Sequence, residues 1–207
     1  MDQTYLDMFL QGGVIIIILA ILSIISLAVI IERLVYIYRA NVNMDSFFAN
    51  LLNSVKSSDT DNAERLFKED KYFLAPTIGK LKPGSSNLKY KKELAGEAIT
   101  EAETNLKRRT HALIFIVQIA PLLGILGTVL GLAEAFLSIG NLGGAEKFQM
   151  LSSGIGKALS TTIAGLVIAA YTMSGHYLIK YRSGKSLKNL SRLIENYITA
   201  ISENDAS

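Results

Sequence analysis

The chain has 207 residues, half of them hydrophobic, with no cysteine and a formal net charge of +3. Such a composition describes a membrane protein with some soluble mass and excludes disulfides and thiolate metal sites. Its basic residues gather at the ends of apolar runs, so the charge reflects topology and anionic lipid, and nucleic acid explains it poorly.

Apolar runs at 13–31, 112–139 and 155–179 are each long enough for a spanning helix, which needs roughly 20 residues. The first has no Lys or Arg before it and no small-residue cleavage site after it, so it reads as a retained anchor. Basic residues cluster between Arg33 and Arg109 and again between Lys180 and Arg192. Positive-inside then puts the N-terminus outside, and the middle region and tail in the cytoplasm. The expected fold is an all-α membrane protein with three transmembrane helices, the second and third extended into a cytoplasmic helical bundle.

In chain order, residues 1–11 predict a short lead-in on the outer side with apolar positions such as Tyr5, Leu6 and Phe9, and Gly12-Gly13 suggests a bend. The first span, 12–33, is apolar all round apart from Ser23 and Ser26, and predicts a lipid-facing outer helix. Glu32 and Arg33 end it, either as interfacial charges beside Tyr36 and Tyr38 or as a salt bridge docking the anchor to a neighbouring helix.

Residues 34–110 predict a cytoplasmic helical region. Phe47, Phe48, Leu51, Leu52 and Val55 recur at helical spacing, Asp61 to Glu64 resembles a capping box, and 83–87 is a clear turn. From Leu88 onward Glu93, Glu97 and Glu101 recur every fourth residue without proline. That pattern predicts one helix running unbroken past Arg108 and Arg109 into the second span, 111–139.

The second span carries Ala120, Gly124, Gly127, Thr128, Gly131 and Ala135 on one face, with Pro121 expected to kink it. Small residues let another helix backbone approach closely, which is how helices associate in lipid. Thr128 is the one hydroxyl on that seam, and taken alone it could simply bond its own backbone. Residues 140–153 predict a short periplasmic loop whose glycines follow no strand and precede no Gly-Lys-Ser/Thr, so they cradle no phosphate. Gly184-Lys185-Ser186 is a second decoy, since a phosphate loop would want glycine where Ile179 stands. His111 and His176 each stand alone, and no nucleophile–base pairing, metal-ligand cluster or cofactor motif appears; the chain does not read as an enzyme.

The third span, 154–180, packs Ser160, Thr161 and Thr162 into an apolar helix, with Thr161 and Thr162 sharing a face with Ala158, Gly165, Ala169 and Thr172. Hydroxyls in lipid must bond their own helix, another helix or water. Three together opposite a glycine-lined threonine favour a shared polar interface, a water- or ion-lined path, over mere packing. Glu134 and Lys157 are candidate mouth charges. No aspartate occurs between Asp70 and Asp205, and Glu134 is the one carboxylate well inside a span. Coupling ions to work usually requires a titratable relay at mid-membrane, so the missing acid must come from another chain. The tail, 181–207, places Leu187, Leu190, Leu193, Ile194, Tyr197, Ile198 and Ile201 as one stripe of an amphipathic helix that packs on the bundle and frays after Asn204.

The segments around Ala120-Pro121, Gly124, Gly127-Thr128-Val129 and Gly131, and around Gly154-Ile155, Ala158-Leu159, Thr162 and Gly165-Leu166, resemble the paired signature of the MotA/TolQ/ExbB proton channels. Residues 28–34 are similar to the ExbB-type end of the first span. The resemblance implies a homo-oligomer, a pentamer, around the single helices of an ExbD- or TolR-like partner that supplies the aspartate. Thr128 and Thr162 would be the pore threonines. Proton motive force would drive a motion passed to a TonB- or TolA-like protein from the bacterial inner membrane. An ExbB-like role leads, TolQ-like and MotA-like roles follow, and a non-conducting helical scaffold is the reading of a different class. No cofactor is implied beyond the transported ion, proton or sodium. The chain departs from the family pattern at Lys157, where a glutamate is common, and at Tyr171, where a proline is. The first suggests a salt bridge from Lys157 to Glu134 or to an acid of the partner, the second a straighter third helix.

Overall fold

A computed structural model describes residues 13–56, 65, 88–138 and 143–204. It is all-helical over these residues: α1 (Gly13–Lys56), α2 (Leu88–Lys107), α3 (Thr110–Ser138) and α4 (Gly144–Asn204). Three stretches are long and apolar enough to cross a membrane, within Gly13–Ser54, Lys89–Ser138 and Gly144–Ser202. The lead-in at 1–11, the cap at 61–64 and the turn at 83–87 lie outside the described residues. Gly13, at the start of α1, has φ +65, a conformation glycine takes without steric cost and one that suits the expected bend.

Three expectations are corrected. The first helix, like the third, continues well beyond its apolar run, to Lys56. The helix expected to run unbroken from Leu88 into the second span stops at Lys107 and restarts at Thr110. Arg108 and Arg109 form a turn, and Arg109 sits in the left-handed region at φ 63. A left-handed non-glycine residue costs about 1–2 kcal/mol, so packing on either side of the turn outweighs the local helical preference. Finally, α4 begins at Gly144, so most of the loop expected at 140–153 is helical; the Lys147 amide donates to the Gly143 carbonyl at 2.9 Å to close the first turn.

The chain divides into two compact units. One comprises Met1–Ile31 and Arg109–Tyr177. Its core joins Leu19 of α1 to Ile116 and Ala120 of α3 and to Ala164 and Ile168 of α4. Its outer surface is apolar, with Ile17, Ile24, Leu122, Ile125, Val129 and Phe136 all exposed. In water such a surface would be a liability; in a bilayer it is the required solvent match. Ser26 is fully buried, and α1 is otherwise the mostly exposed apolar helix that the sequence predicts.

The other unit comprises Glu32–Arg108 and Leu178–Ser207. Met44, Phe47, Phe48 and Leu51 of α1 pack against Ala95 and Ala102 of α2 and Leu190, Ile194, Tyr197, Ile198 and Ile201 of α4. The tail stripe therefore buries itself in a helical bundle, as expected. Alanines at 95, 98 and 102 make α2 the slim member, which admits the two phenylalanines of α1. Arg33 is buried at 4% exposure. Its guanidinium pairs with Glu32 at 2.7 Å, donates to the Asn105 carbonyl at 3.2 Å and lies 4.7 Å above the Tyr36 ring. Arg33 thus reaches a neighbouring helix through a backbone carbonyl of α2 and pairs with the adjacent Glu32 on α1. Burial pushes the pKa of the Tyr36 phenol above its ordinary value, and the Arg33 and Arg108 charges oppose that rise.

Burial also pushes the Tyr197 phenol well above its ordinary value. A phenol with a raised folded-state pKa ionises more easily in the unfolded chain. Its contribution is complete below about pH 10 and fades as pH rises through the folded value. Melting temperature followed by circular dichroism should fall more steeply above about pH 10 in the wild type than in Tyr197→Phe. Parallel curves would contradict the burial of an un-ionised phenol.

Candidate functional site: the α3–α4 seam

Glycine and alanine on α3 leave no side chain to hold α4 away. A Cβ on Gly165 would lie 2.5 Å from the Ala120 carbonyl oxygen, and one on Gly124 would lie 2.9 Å from the Thr161 carbonyl oxygen. Further along, Gly131 faces Ala158 and Gly154 faces Ala135. Numbers rising on α3 fall on α4, so the helices are antiparallel and in close contact over about four turns. Ala120, Gly124, Gly127, Ala135, Ala158 and Gly165 are buried, and Gly131 half-buried. The predicted packing residues therefore form one continuous seam. Pro121 lies inside α3, which is helical from Thr110 to Ser138; lacking an amide, it leaves the Val117 carbonyl without its usual helical donor.

The hydroxyls converge on one backbone atom. Thr161 Oγ1 donates to the Gly124 carbonyl at 3.1 Å and to its own helix at Ala158 at 2.8 Å; Thr162 Oγ1 donates to the same Gly124 carbonyl at 3.0 Å. Gly127 makes room for the Thr161 side chain, since a Cβ there would lie 2.4 Å from its oxygen. The four hydroxyls have different surroundings. Thr161 is buried at 2% exposure and is part of the packing. Thr162 and Thr128 are half-buried, and Thr128 returns its hydroxyl to the Ile125 carbonyl at 2.6 Å. Ser160 is buried but bonds the Lys157 carbonyl at 2.7 Å, outside the Gly124 cluster. Thr172 is fully buried, and its hydroxyl has no partner among the described residues.

The charged candidates behave separately. Glu134 is exposed and Lys157 half-buried, and no ion pair joins them among the described residues; the expected Lys157–Glu134 bridge is absent. Arg108 and Arg109 are exposed in the turn, whereas Glu32 and Arg33 act in the bundle described above. No group of three or more metal-ligating side chains occurs among the described residues.

Tyr171 links α4 to α1. Its hydroxyl lies 2.7 Å from Ser26 Oγ and 2.9 Å from Ser23 Oγ, and donates to the Ser23 carbonyl at 3.0 Å. One turn on, Gly175 lets α1 close in, because a Cβ there would strike Ile30 at 2.4 Å. Three hydroxyls thus tie α1 to the seam-bearing helix. The two serines were the sequence signal, as the only polar residues of an apolar span, and they lacked only a visible partner.

Residues 44–192 match the family model described as the MotA/TolQ/ExbB proton channel family. The chain belongs to this family. Among its relatives, the ExbB-like 1 biopolymer transport protein of Synechocystis sp. is 35% identical over 81% of the chain and 67% of its own length. The biopolymer transport protein exbB1 of Vibrio cholerae is 33% identical over 52% of the chain and 47% of its own length. The Tol-Pal system protein TolQ of Haemophilus influenzae is 25% identical over 97% of the chain and 94% of its own length. The family match covers the whole α3–α4 seam. With three helices able to cross a bilayer, the chain is a multi-pass membrane protein of a channel family.

Two predictions follow the contacts. Gly165→Ala drives a methyl into the Ala120 backbone, which cannot rotate away, whereas Gly131→Ala meets Ala158 at 3.0 Å. The first should destabilise by about 1–3 kcal/mol and the second by less, measured by thermal unfolding in detergent. Tyr171→Phe removes one hydroxyl from the α1 contact and should cost about 0.6–1.7 kcal/mol, the range of hydrogen bonds measured between membrane helices. Equal stability of Tyr171→Phe and wild type would mean that the serines recover their bonds within α1.

Proposed function

We propose that this chain is the proton-conducting stator subunit of an ExbB-like complex of the bacterial inner membrane. It assembles with copies of itself, five in this reading, around the single helices of an ExbD- or TolR-like partner. That partner supplies the titratable aspartate, and the ion motive force drives a motion delivered through a TonB-like protein. The N-terminus is periplasmic and the C-terminus cytoplasmic.

The observation that carries this reading is the half-buried pair of hydroxyls, Thr162 on the Gly124 carbonyl and Thr128 on the Ile125 carbonyl, on a seam that holds no carboxylate of its own. Hydroxyls and a carbonyl can organise water and pass a proton along it, but they cannot store one. Relatives named both ExbB-like and TolQ support the stator role in common and leave TolQ-like envelope work as the second reading. Glu134 and Lys157, unpaired with each other, suit the outer mouth.

Thr128→Val and Thr162→Val keep the side-chain shape and remove the hydroxyl. Each should lower proton flux at least tenfold when the oligomer and its partner are reconstituted in vesicles carrying a pH-sensitive dye. Thr161→Val should instead lower the melting temperature, because that hydroxyl is buried in the seam. Undiminished flux in both of the first two variants would leave the scaffold reading standing in place of the channel.

A further inference from the structure

In the unit that carries the seam, one buried hydroxyl differs from the others among the described residues. Ser26 bonds the Ser23 carbonyl at 2.9 Å, Ser160 the Lys157 carbonyl at 2.7 Å, and Thr161 the carbonyls of Ala158 and Gly124 at 2.8 and 3.1 Å. Thr110, also buried, is not without a partner. Thr172 is 0% exposed, and its Oγ1 meets neither donor nor acceptor. A threonine inside a helix can return its hydroxyl to a carbonyl three or four residues back, and Thr172 does not. A hydroxyl taken out of water without a replacement bond is costly, so this exception needs a physical reason.

The facing helix supplies it. Gly165 closes on Ala120 and Gly124. Seven residues further along α4, two turns, stands Thr172; seven back along the antiparallel α3 stand Leu113 and Val117. At Gly124 the backbones touch, and a threonine reaches a carbonyl unaided. At the level of Thr172 the α3 face carries Leu113 and Ile116, both buried, in place of glycine. Their bulk holds the helices further apart, so a hydroxyl of the same length falls short.

A second polar atom is stranded nearby. Pro121 has no amide to give the Val117 carbonyl. Val117 is half-buried and lies two turns before Gly124, so its carbonyl occupies the same strip of α3 as the one that receives Thr161 and Thr162. By that register, the α4 positions in direct reach of it are Ile168 and Ala169, whose side chains carry no donor. Thr172 stands one turn beyond, about 5 Å along the axis. That separation is too long for a hydrogen bond and suits two bonds of about 2.8 Å meeting at one oxygen.

From these observations we infer that Thr172 Oγ1 and the Val117 carbonyl hold one internal water between them, a hydration site built into the α3–α4 seam. The threonine hydroxyl donates to the water and the water donates to the carbonyl, so both stranded groups are satisfied. Buried waters ordinarily sit where otherwise unsatisfied polar groups converge. Pro121 and Thr172 act together although the register keeps them apart: the proline frees the acceptor, and the threonine fixes the water beside it. The site requires no ion flow and belongs equally to a channel or a scaffold, so it stands or falls separately from the function proposed above.

The full-length protein in lipid bilayers, labelled at threonine, tests this by magnetisation transfer from water in proton-detected solid-state NMR. Thr172, identified by the signal that Thr172→Val removes, should show a water cross-peak; Thr161, already bonded to two carbonyls, is the dry reference. No transfer to Thr172 overturns the site. Thermal unfolding gives an independent reading. Thr172→Val should lower the melting temperature by about 2–4 °C. That loss should shrink at least about twofold in a Pro121→Ala background, where residue 121 regains the amide that the Val117 carbonyl lacks. A valine variant more stable than the wild type would reveal a dry, unpartnered hydroxyl, and an equal loss in both backgrounds a hydroxyl bonded to α4 itself. Either result overturns the shared water.

Discussion

The close approach of α3 and α4 is the constraint from which the rest follows. Gly124 and Gly165 let two backbones come so near that a threonine hydroxyl on one helix reaches a carbonyl on the other. In a bilayer there is no hydrophobic force to press helices together, so contact has to come from fit and from hydrogen bonds. The seam supplies both: side chains small enough to touch along their length, and hydroxyls satisfied at the point of contact. The rotation of each helix is set by this fit. It sends Thr161 inward and leaves Thr128 and Thr162 at the margin, so one packing decision fixes which hydroxyls are covered and which stay partly exposed.

Much of this was legible from spacing alone. Glycine and alanine every three or four residues in a span leave few alternatives to a helix–helix groove, and the seam formed from the residues that pattern picked out. The lack of a mid-span acid was equally plain, because carboxylates can be placed on a chain without knowing its fold. What the spacing could not separate was Thr161 from Thr162. The two differ by one residue, about 100° around the axis, and only the partner helix determines which is covered.

Other features were hidden for identifiable reasons. The break at Arg108 and Arg109 carries no proline or glycine, since it is imposed by packing on either side against local preference. The early start of α4 was masked by Gly140, Gly143 and Gly144, whose composition says loop although the last of them opens a helix. The Lys157–Glu134 bridge was one of two partners suggested by the departure of Lys157 from the family pattern, and a departure at one position does not determine where two side chains point. For Arg33 the sequence left an interfacial charge and a docking salt bridge both open; its acceptor on α2 is a main-chain carbonyl, which no pattern of side chains reveals.

Tyr171 has a mechanical consequence for α4. A proline at that position would strip the donor from the Val167 carbonyl and open a weak joint in the middle of an apolar stretch, where a lone carbonyl is costly. With tyrosine the backbone ladder continues, and α4 contains no proline along its 61 residues. The Val167 carbonyl thus keeps an amide donor within its own helix, and the position is left free to carry a side chain that reaches the serines of α1.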